Sequence, residues 1–237
     1  PFLRPTPYVA TDGGRGYFAN SNVKLWVKSD SYAGDTNFYD SAGLLGRTPK
    51  AITNSGHTAA NRPVIKTANS ITDYALSGGA DGIYLDGTDI IKIPNHPNIN
   101  VGADNFTIEF WGNATWTQAQ KGIIAAANSS AAKGILIRTD NGNGKIECFM
   151  SNSAWGSGVA TADALPNGVW SHIAVQRDAE RTNIFINGVC TATSTTEGVN
   201  VDVTDYDYII GRSYNDNTSS YYFTGYLDEI RISKMAR

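Results

Sequence analysis

Apolar and polar residues alternate most cleanly along Phe106-Thr107-Ile108-Glu109-Phe110-Trp111. Phe106, Ile108 and Phe110 fall on one face, and Thr107, Glu109 and Trp111 on the other. A period of two marks an extended strand with one buried face. It predicts a sandwich strand that carries an aromatic on its less covered side. The stretch from Gly168 to Ala192 reads the same way. Ile173 and Val175 sit among Ser171, Ala174 and Arg177, Asp178-Ala179-Glu180-Arg181 is a polar turn, and Asn183–Ile186 is a second strand. Asn187-Gly188 then closes another hairpin, because a two-residue turn that follows strand twist needs positive φ at both central residues. Three antiparallel strands in roughly two dozen residues leave no room for a crossover helix.

Further strands are expected at Val23–Lys28, around Phe38-Tyr39, at Asp73–Leu76, Gly82–Leu85, Ile90–Pro94, Gly122–Ala127, Gly134–Arg138, Lys145–Met150 and Tyr206–Gly211, with a final strand pair between Tyr222 and Ser233. Asp86-Gly87 is a tight-turn signal, and Pro94 ends a ladder by removing a donor. From Leu44 to Ser70 the pattern is weak and predicts a long excursion holding one or two short strands. No segment longer than about ten residues carries a helical period. The fold class is therefore all-β, one antiparallel two-sheet β-sandwich. Residues 1–22, with three prolines and Gly13-Gly14-Arg15-Gly16, read as an N-terminal arm or linker, and 23–237 as the domain.

Composition narrows the function classes. The 237 residues suffice for one large sandwich. A net charge of −3 with 17% charged residues supplies no basic stripe, so a nucleic-acid partner is not expected. No apolar run is long enough to span a bilayer, so no membrane insertion is expected. The start at Pro1 and the end at Arg237 suggest a segment of a longer or processed protein. Cys148 and Cys190 both fall in apolar strand segments and read as small core residues, with a disulfide as the alternative. Two Cys and three scattered His (His57, His96 and His172) show no zinc-ligand spacing. His172 shares a face with Trp170 and Ala174, which makes packing its expected role.

Several segments, taken in order, resemble a known family. They are Asp86-Gly87 before Ile90–Pro94, Phe106–Trp111, Val169-Trp170-Ser171-His172-Ile173-Ala174-Val175 followed by Phe185-Ile186-Asn187-Gly188, Ile209-Ile210-Gly211, and Phe223-Thr224-Gly225-Tyr226-Leu227-Asp228-Glu229-Ile230-Arg231-Ile232. The set resembles a laminin G-like domain of the concanavalin A-like lectin/glucanase jelly-roll superfamily. In style it is similar to modules of bacteriophage virion proteins, where a phrase like Asn22-Val23-Lys24-Leu25 opens the domain and Leu227–Lys234 nearly closes it. The resemblance implies a non-catalytic, lectin-like module of a phage particle, as a capsid decoration, fibre or tail component. Such a module would be located in the virion, contact other virion subunits, assemble as a homo-oligomer and present its jelly roll to a cell-surface glycan. The alternatives are a carbohydrate-binding module of a secreted, extracellular bacterial enzyme and, with least support, a glucanase.

The resemblance also suggests where chemistry would sit. Glucanases of the superfamily place carboxylates on one face through a Glu-x-Asp-x-Glu strand. Here Glu109, Glu147, Glu180, Glu197 and Glu229 stand apart, no Gly-x-Ser-x-Gly elbow accompanies a His, and no catalytic residue is assigned. Glu109 beside Trp111 reads as a structural ion pair. The family implies calcium held by Asp228 with Asp30 and loop carbonyls, and Asn215-Asp216-Asn217 is a second candidate calcium loop. Sugar binding needs exposed aromatics that stack on apolar sugar faces, with polar partners beside them. Trp116, Trp155, Tyr214 and Tyr221 lie in polar, loop-like contexts and are the candidates, with Arg212 and Asp216 as partners. Trp26 and Trp170 lie in strands and are expected in the core.

Overall fold

The alternating segments are strands, and they stack in two layers. The computed structural model describes residues 23–27, 38–39, 51–52, 64–67, 81–152, 158–179, 181–195, 200–201, 203–215 and 221–237. In chain order the strands are β1 (Val23–Val27), β2 (Phe38–Tyr39), β3 (Ala51–Ile52), β4 (Val64–Thr67), β5 (Asp81–Asp86), β6 (Ile91–Ile93), β7 (Phe106–Ala114), β8 (Gly122–Asn128), β9 (Lys133–Thr139), β10 (Ile146–Ser151), β11 (Val159–Ala160), β12 (Ser171–Asp178), β13 (Arg181–Ile186), β14 (Val189–Thr195), β15 (Tyr208–Ile210) and β16 (Thr224–Ser233). Among the described residues, one 3-10 turn, Pro97–Ile99, follows β6.

An eight-stranded sheet runs β14-β13-β12-β7-β16-β5-β4, with β1 also paired to β16. A six-stranded sheet runs β11-β10-β9-β8-β15-β6, and β2 with β3 forms a separate ribbon. The core between the sheets takes Phe106, Ile108, Phe110, Ile173 and Val175 from one layer and Ala126, Ile135, Ile137 and Ile146 from the other, all fully buried. This is the expected two-sheet antiparallel sandwich. The Asn187-Gly188 turn also has its required geometry, with φ of 50° and 81° at the two central residues.

Three expectations change. The segment from Tyr222 to Ser233 is not a strand pair but one long strand, β16. Gly225 (φ 151°) and a bulge at Glu229 (φ 50°) keep it in the ladder. Between the pairs Asp228↔Trp111 and Arg231↔Glu109, β16 carries one residue more than β7, and the extra residue is absorbed by the bulge. Cys190 is exposed on β14 rather than part of the core. Cys148 is buried, burial pushes its thiol up to about 12, and both cysteines are free. Trp170 is buried, but it packs with Trp111 and Tyr226 in a small cluster apart from the main core. The expected strand Asp73–Leu76 and the arm 1–22 lie outside the described residues.

Candidate functional site

The outer face of the six-stranded sheet is built from small and aromatic residues. The register aligns Lys92, Ile209, Ala125, Leu136 and Phe149 in one row across β6, β15, β8, β9 and β10. Ala125, Ala127 and Leu136 belong to a cluster of their own, against which Phe149 and Tyr214 pack. Small residues on β8 let these rings lie close to the sheet while both remain half-buried. Beside Phe149, the Arg138 guanidinium sits 4.6 Å from the ring centroid and pairs with Glu147 at 3.1 Å. A planar cation stacked on a ring and held by a carboxylate is a fixed polar edge to an apolar platform.

The connection from β15 to β16 supplies the other rings. It leaves the sheet at Gly211, where φ is +94° and a Cβ would lie 2.7 Å from the Asp89 carbonyl. Arg212, 5% exposed, then grips the connection from inside. Its Nε donates to the Tyr214 carbonyl at 2.9 Å and its Nη1 to the Tyr222 hydroxyl at 3.2 Å. Asn215 ties the loop to the sheet. Its backbone N–H donates to the Ala127 carbonyl, its Oδ1 accepts from the Ala127 N–H, and its Nδ2 donates to the Asp207 carbonyl. The returning arm is fixed where the Gly122 N–H donates to the Tyr221 carbonyl. Tyr214 and Tyr221 thus meet edge to face, with centroids 5.8 Å apart.

Three of the six residues expected to contact sugar come together here: Tyr214 and Tyr221 as rings, and Arg212 as the clamp that positions them. Trp116 does not belong to the group. It is fully buried, 6.0 Å from Phe223, because Gly112 leaves the room its ring occupies; a Cβ there would lie 2.7 Å from Trp116 Cη2. Trp155 and Asp216 lie outside the described residues. Phe149, Arg138, Glu147 and Tyr222 are additions that sequence reasoning missed. The alternation of Ile146 and Cys148 with Glu147 and Phe149 was the available signal, since it turns Phe149 outward.

For calcium, Asp228 is 3% exposed on β16, and Asp30 lies outside the described residues. Among the described residues, no group of three or more His, Cys, Asp or Glu is arranged to hold a metal ion. The Asn215 side chain, in the second candidate loop, is already occupied by two backbone groups.

Glu109 is an ion-pair residue. Arg237 donates to its carboxylate at 2.6 Å, His172 Nε2 lies 3.4 Å away and Arg231 3.9 Å away. Burial pushes this carboxyl up, but the His172 hydrogen bond and the two guanidinium groups outweigh it and hold it below the usual carboxylate range. His172 therefore does more than pack, although its ring also stands 5.3 Å from Trp111.

Comparison with known proteins agrees with this architecture. Domain 4 of AbnA, an extracellular GH43 arabinanase from Geobacillus stearothermophilus solved with arabinotriose, is similar over 91% of this chain and 93% of that one, with a TM-score of 0.63 and 19% identity. The binding domain of Paraclostridial Mosquitocidal Protein 1 is similar over 91% of this chain and 49% of that one, at 0.58 and 16%. The CBM40 of Ruminococcus gnavus IT-sialidase, bound to α2,3 sialyllactose, is similar over 66% and 90%, at 0.54 and 13%. At these identities the likeness is one of fold. No curated protein sequence matches the chain. Residues 85–237 match the laminin G-type family described as the concanavalin A-like lectin/glucanases superfamily, and that match covers most of the chain. The sandwich, its strand order and this match together make the chain a member of the concanavalin A-like lectin/glucanases superfamily.

Proposed function

We propose that the chain is a non-catalytic, lectin-like module that binds glycan on the outer face of its six-stranded sheet. The observation that carries this is the convergence of Tyr214, Tyr221 and Phe149 with the Arg138–Glu147 pair on one rigid face. Ring faces stack on the C–H faces of a sugar, and the fixed ion pair offers both donors and acceptors to its hydroxyls. The structural relatives support the reading, since two were solved with oligosaccharides bound. A hydrolase reading finds little support in Glu109, whose carboxylate is committed to two arginines and a histidine.

A glycan array probed with the whole chain, with and without chelator, tests binding and the calcium expectation on Asp30 and Asp228 together. Tyr214→Ala and Phe149→Ala are each expected to weaken the best glycan about tenfold, which corresponds to about 1.4 kcal/mol. Binding to no glycan under either condition sinks the lectin reading, and reducing-sugar release from a β-glucan sinks the non-catalytic one.

The setting in which such a module works is a surface-attachment role. The virion reading rests on the resemblance of the opening phrase Asn22–Leu25 and the closing phrase Leu227–Lys234 to modules of phage virion proteins. The alternative, a module of a secreted enzyme, is supported by the likeness to a domain of an extracellular arabinanase. Mass spectrometry of purified particles and identification of the flanking genes separate the two: absence from the particle excludes the virion, other virion subunits as partners, and the phage host surface as target.

A further inference from the structure

The eight-stranded sheet has an outer face of its own, and it is aromatic. Two of the rows that point away from the core carry the rings, Tyr84–Tyr226–Asn113 and Asp228–Trp111–His172, and the charged row Arg231–Glu109–Ala174 lies beside the second. Trp170, just before β12, packs onto Trp111 and Tyr226. The centroids of Tyr84 and Tyr226 are 4.9 Å apart, and those of Trp170 and Tyr226 are 6.4 Å apart. Gly82 makes this possible, because a Cβ on it would lie 3.0 Å from Trp170 Cη2. Tyr84, Trp111, Asn113, His172 and Tyr226 are all half-buried, so their rings and polar edges still meet solvent.

The ring cluster also holds an unpaired polar atom. Trp170 is only 7% exposed, and its indole N–H is buried without a hydrogen-bond partner. Buried N–H groups are nearly always paired, and this one, like that of Trp116 in the main core, is not, so it adds a polar atom to the ring cluster without itself reaching solvent. The neighbouring charges are already spent on each other, Glu109 with Arg231, Arg237 and His172. What remains is a platform of rings with donors and acceptors at its edge, among them the buried Asp228 carboxylate in the Trp111 row and Asp86 near Tyr84. Rings edged by such groups are the chemistry that recognises a sugar ring.

The size of the patch selects between occupants. Three large rings of about 150–250 Å² each, none more than about a third exposed, offer roughly 200 Å². A stable protein interface buries about 800 Å² on each partner, so the patch is too small for a second copy and suits a short glycan. We infer that Trp111, Tyr226 and Tyr84, with Asn113 and His172 and backed by the buried Trp170 ring, form a second carbohydrate platform on the opposite side of the sandwich from the first. This rests on the reading of the chain as a glycan-binding module. It makes the module bivalent, able to engage a glycan-coated surface with gain in avidity or to bridge two glycan chains.

The test is NMR of the whole chain, ¹⁵N-labelled, titrated with arabinotriose, with α2,3-sialyllactose and with the best array glycan. The Trp111 and Trp170 indole signals are assigned by Trp111→Phe and Trp170→Phe. In a Phe149→Ala/Tyr214→Ala double variant, a glycan is still expected to shift both indole signals, and Tyr226→Ala is expected to weaken that shift about tenfold. The wild-type titration needs no variant to fold. A glycan that binds at millimolar concentration but leaves both indole signals unmoved overturns the second platform and leaves the first intact. No shift anywhere in the spectrum overturns both. Indole shifts that depend on protein concentration without sugar identify a self-association face and also overturn the proposal.

Discussion

Glu109 shows how a single side chain holds distant parts of this chain together. Its partners come from β12, from β16 and from the segment after β16, and the Arg237 contact spans 128 positions. Removing one member of such a buried group leaves the others uncompensated, so Glu109→Gln is expected to cost about 3 kcal/mol in urea unfolding at neutral pH. The pH dependence follows from the sign of the shift. The folded carboxyl lies below its ordinary value of about 4.3, so its contribution is fully present above that value and is lost as pH falls through the folded one. In the wild type, stability therefore declines below about pH 4.3, and Glu109→Gln should flatten that limb. An unchanged acid limb in the variant would count against this account. The local sequence shows only a carboxylate next to Trp111. It cannot show that Arg231 and Arg237 return to it, because those contacts depend on register and on where the chain folds back.

Connections between strands decide which rings face a ligand, and local geometry decides how readable they are. The Asn187-Gly188 hairpin is legible because its constraint is contained in two residues. Asn187 also accepts a hydrogen bond from the His172 N–H at 2.8 Å. Asn187→Ala combines an unfavourable positive φ with a lost hydrogen bond and is expected to cost about 1–2 kcal/mol. Asn187→Gly, which relieves the backbone but not the hydrogen bond, should fall between the two in the same thermal melt; equal melting of all three would remove the argument. The 211–222 connection is different. Tyr214 and Tyr221 are recognisable as loop aromatics, but Trp116 looks the same in sequence and is buried, because only the fold reveals that Gly112 leaves space beneath it. The connection passes so close to β8 that a Cβ on Gly122 would lie 2.1 Å from the Ser213 nitrogen. Gly122→Ala must push that backbone away and carry Tyr214 with it. Glycan binding on the array is expected to fall by at least about tenfold, while unfolding shifts by about 1–3 kcal/mol. Retained affinity would show that the position of Tyr214 is not what the site depends on.

At the scale of the whole molecule, the sandwich is closed by strands that are far apart in sequence. Alternation was enough to reveal the two layers, since Phe106, Ile108 and Phe110 report a buried face wherever their partners come from. It could not reveal that β1 lies beside β16, nor that β16 is one bulged strand, because both are set by pairing across most of the chain. That pairing has a consequence for the family match, which begins at residue 85. A fragment of 85–237 would lack β1, β4 and most of β5, and with them Leu25, Val27 and Ile83, each at most 3% exposed. Burial of side chains of this size contributes about 1.5–3 kcal/mol apiece. The loss of about 5–9 kcal/mol is comparable to the whole stability of a domain, about 5–15 kcal/mol. It also uncovers one edge of β16, a long strand with Leu227, Ile230 and Ile232 on its inner side, and an open edge of that kind pairs with other chains. The fragment is therefore expected to elute from size exclusion as aggregates and to lack the cooperative urea transition of the whole chain. A monomeric fragment that unfolds cooperatively near the same denaturant midpoint would mean that β1 and β5 decorate the sandwich rather than complete it.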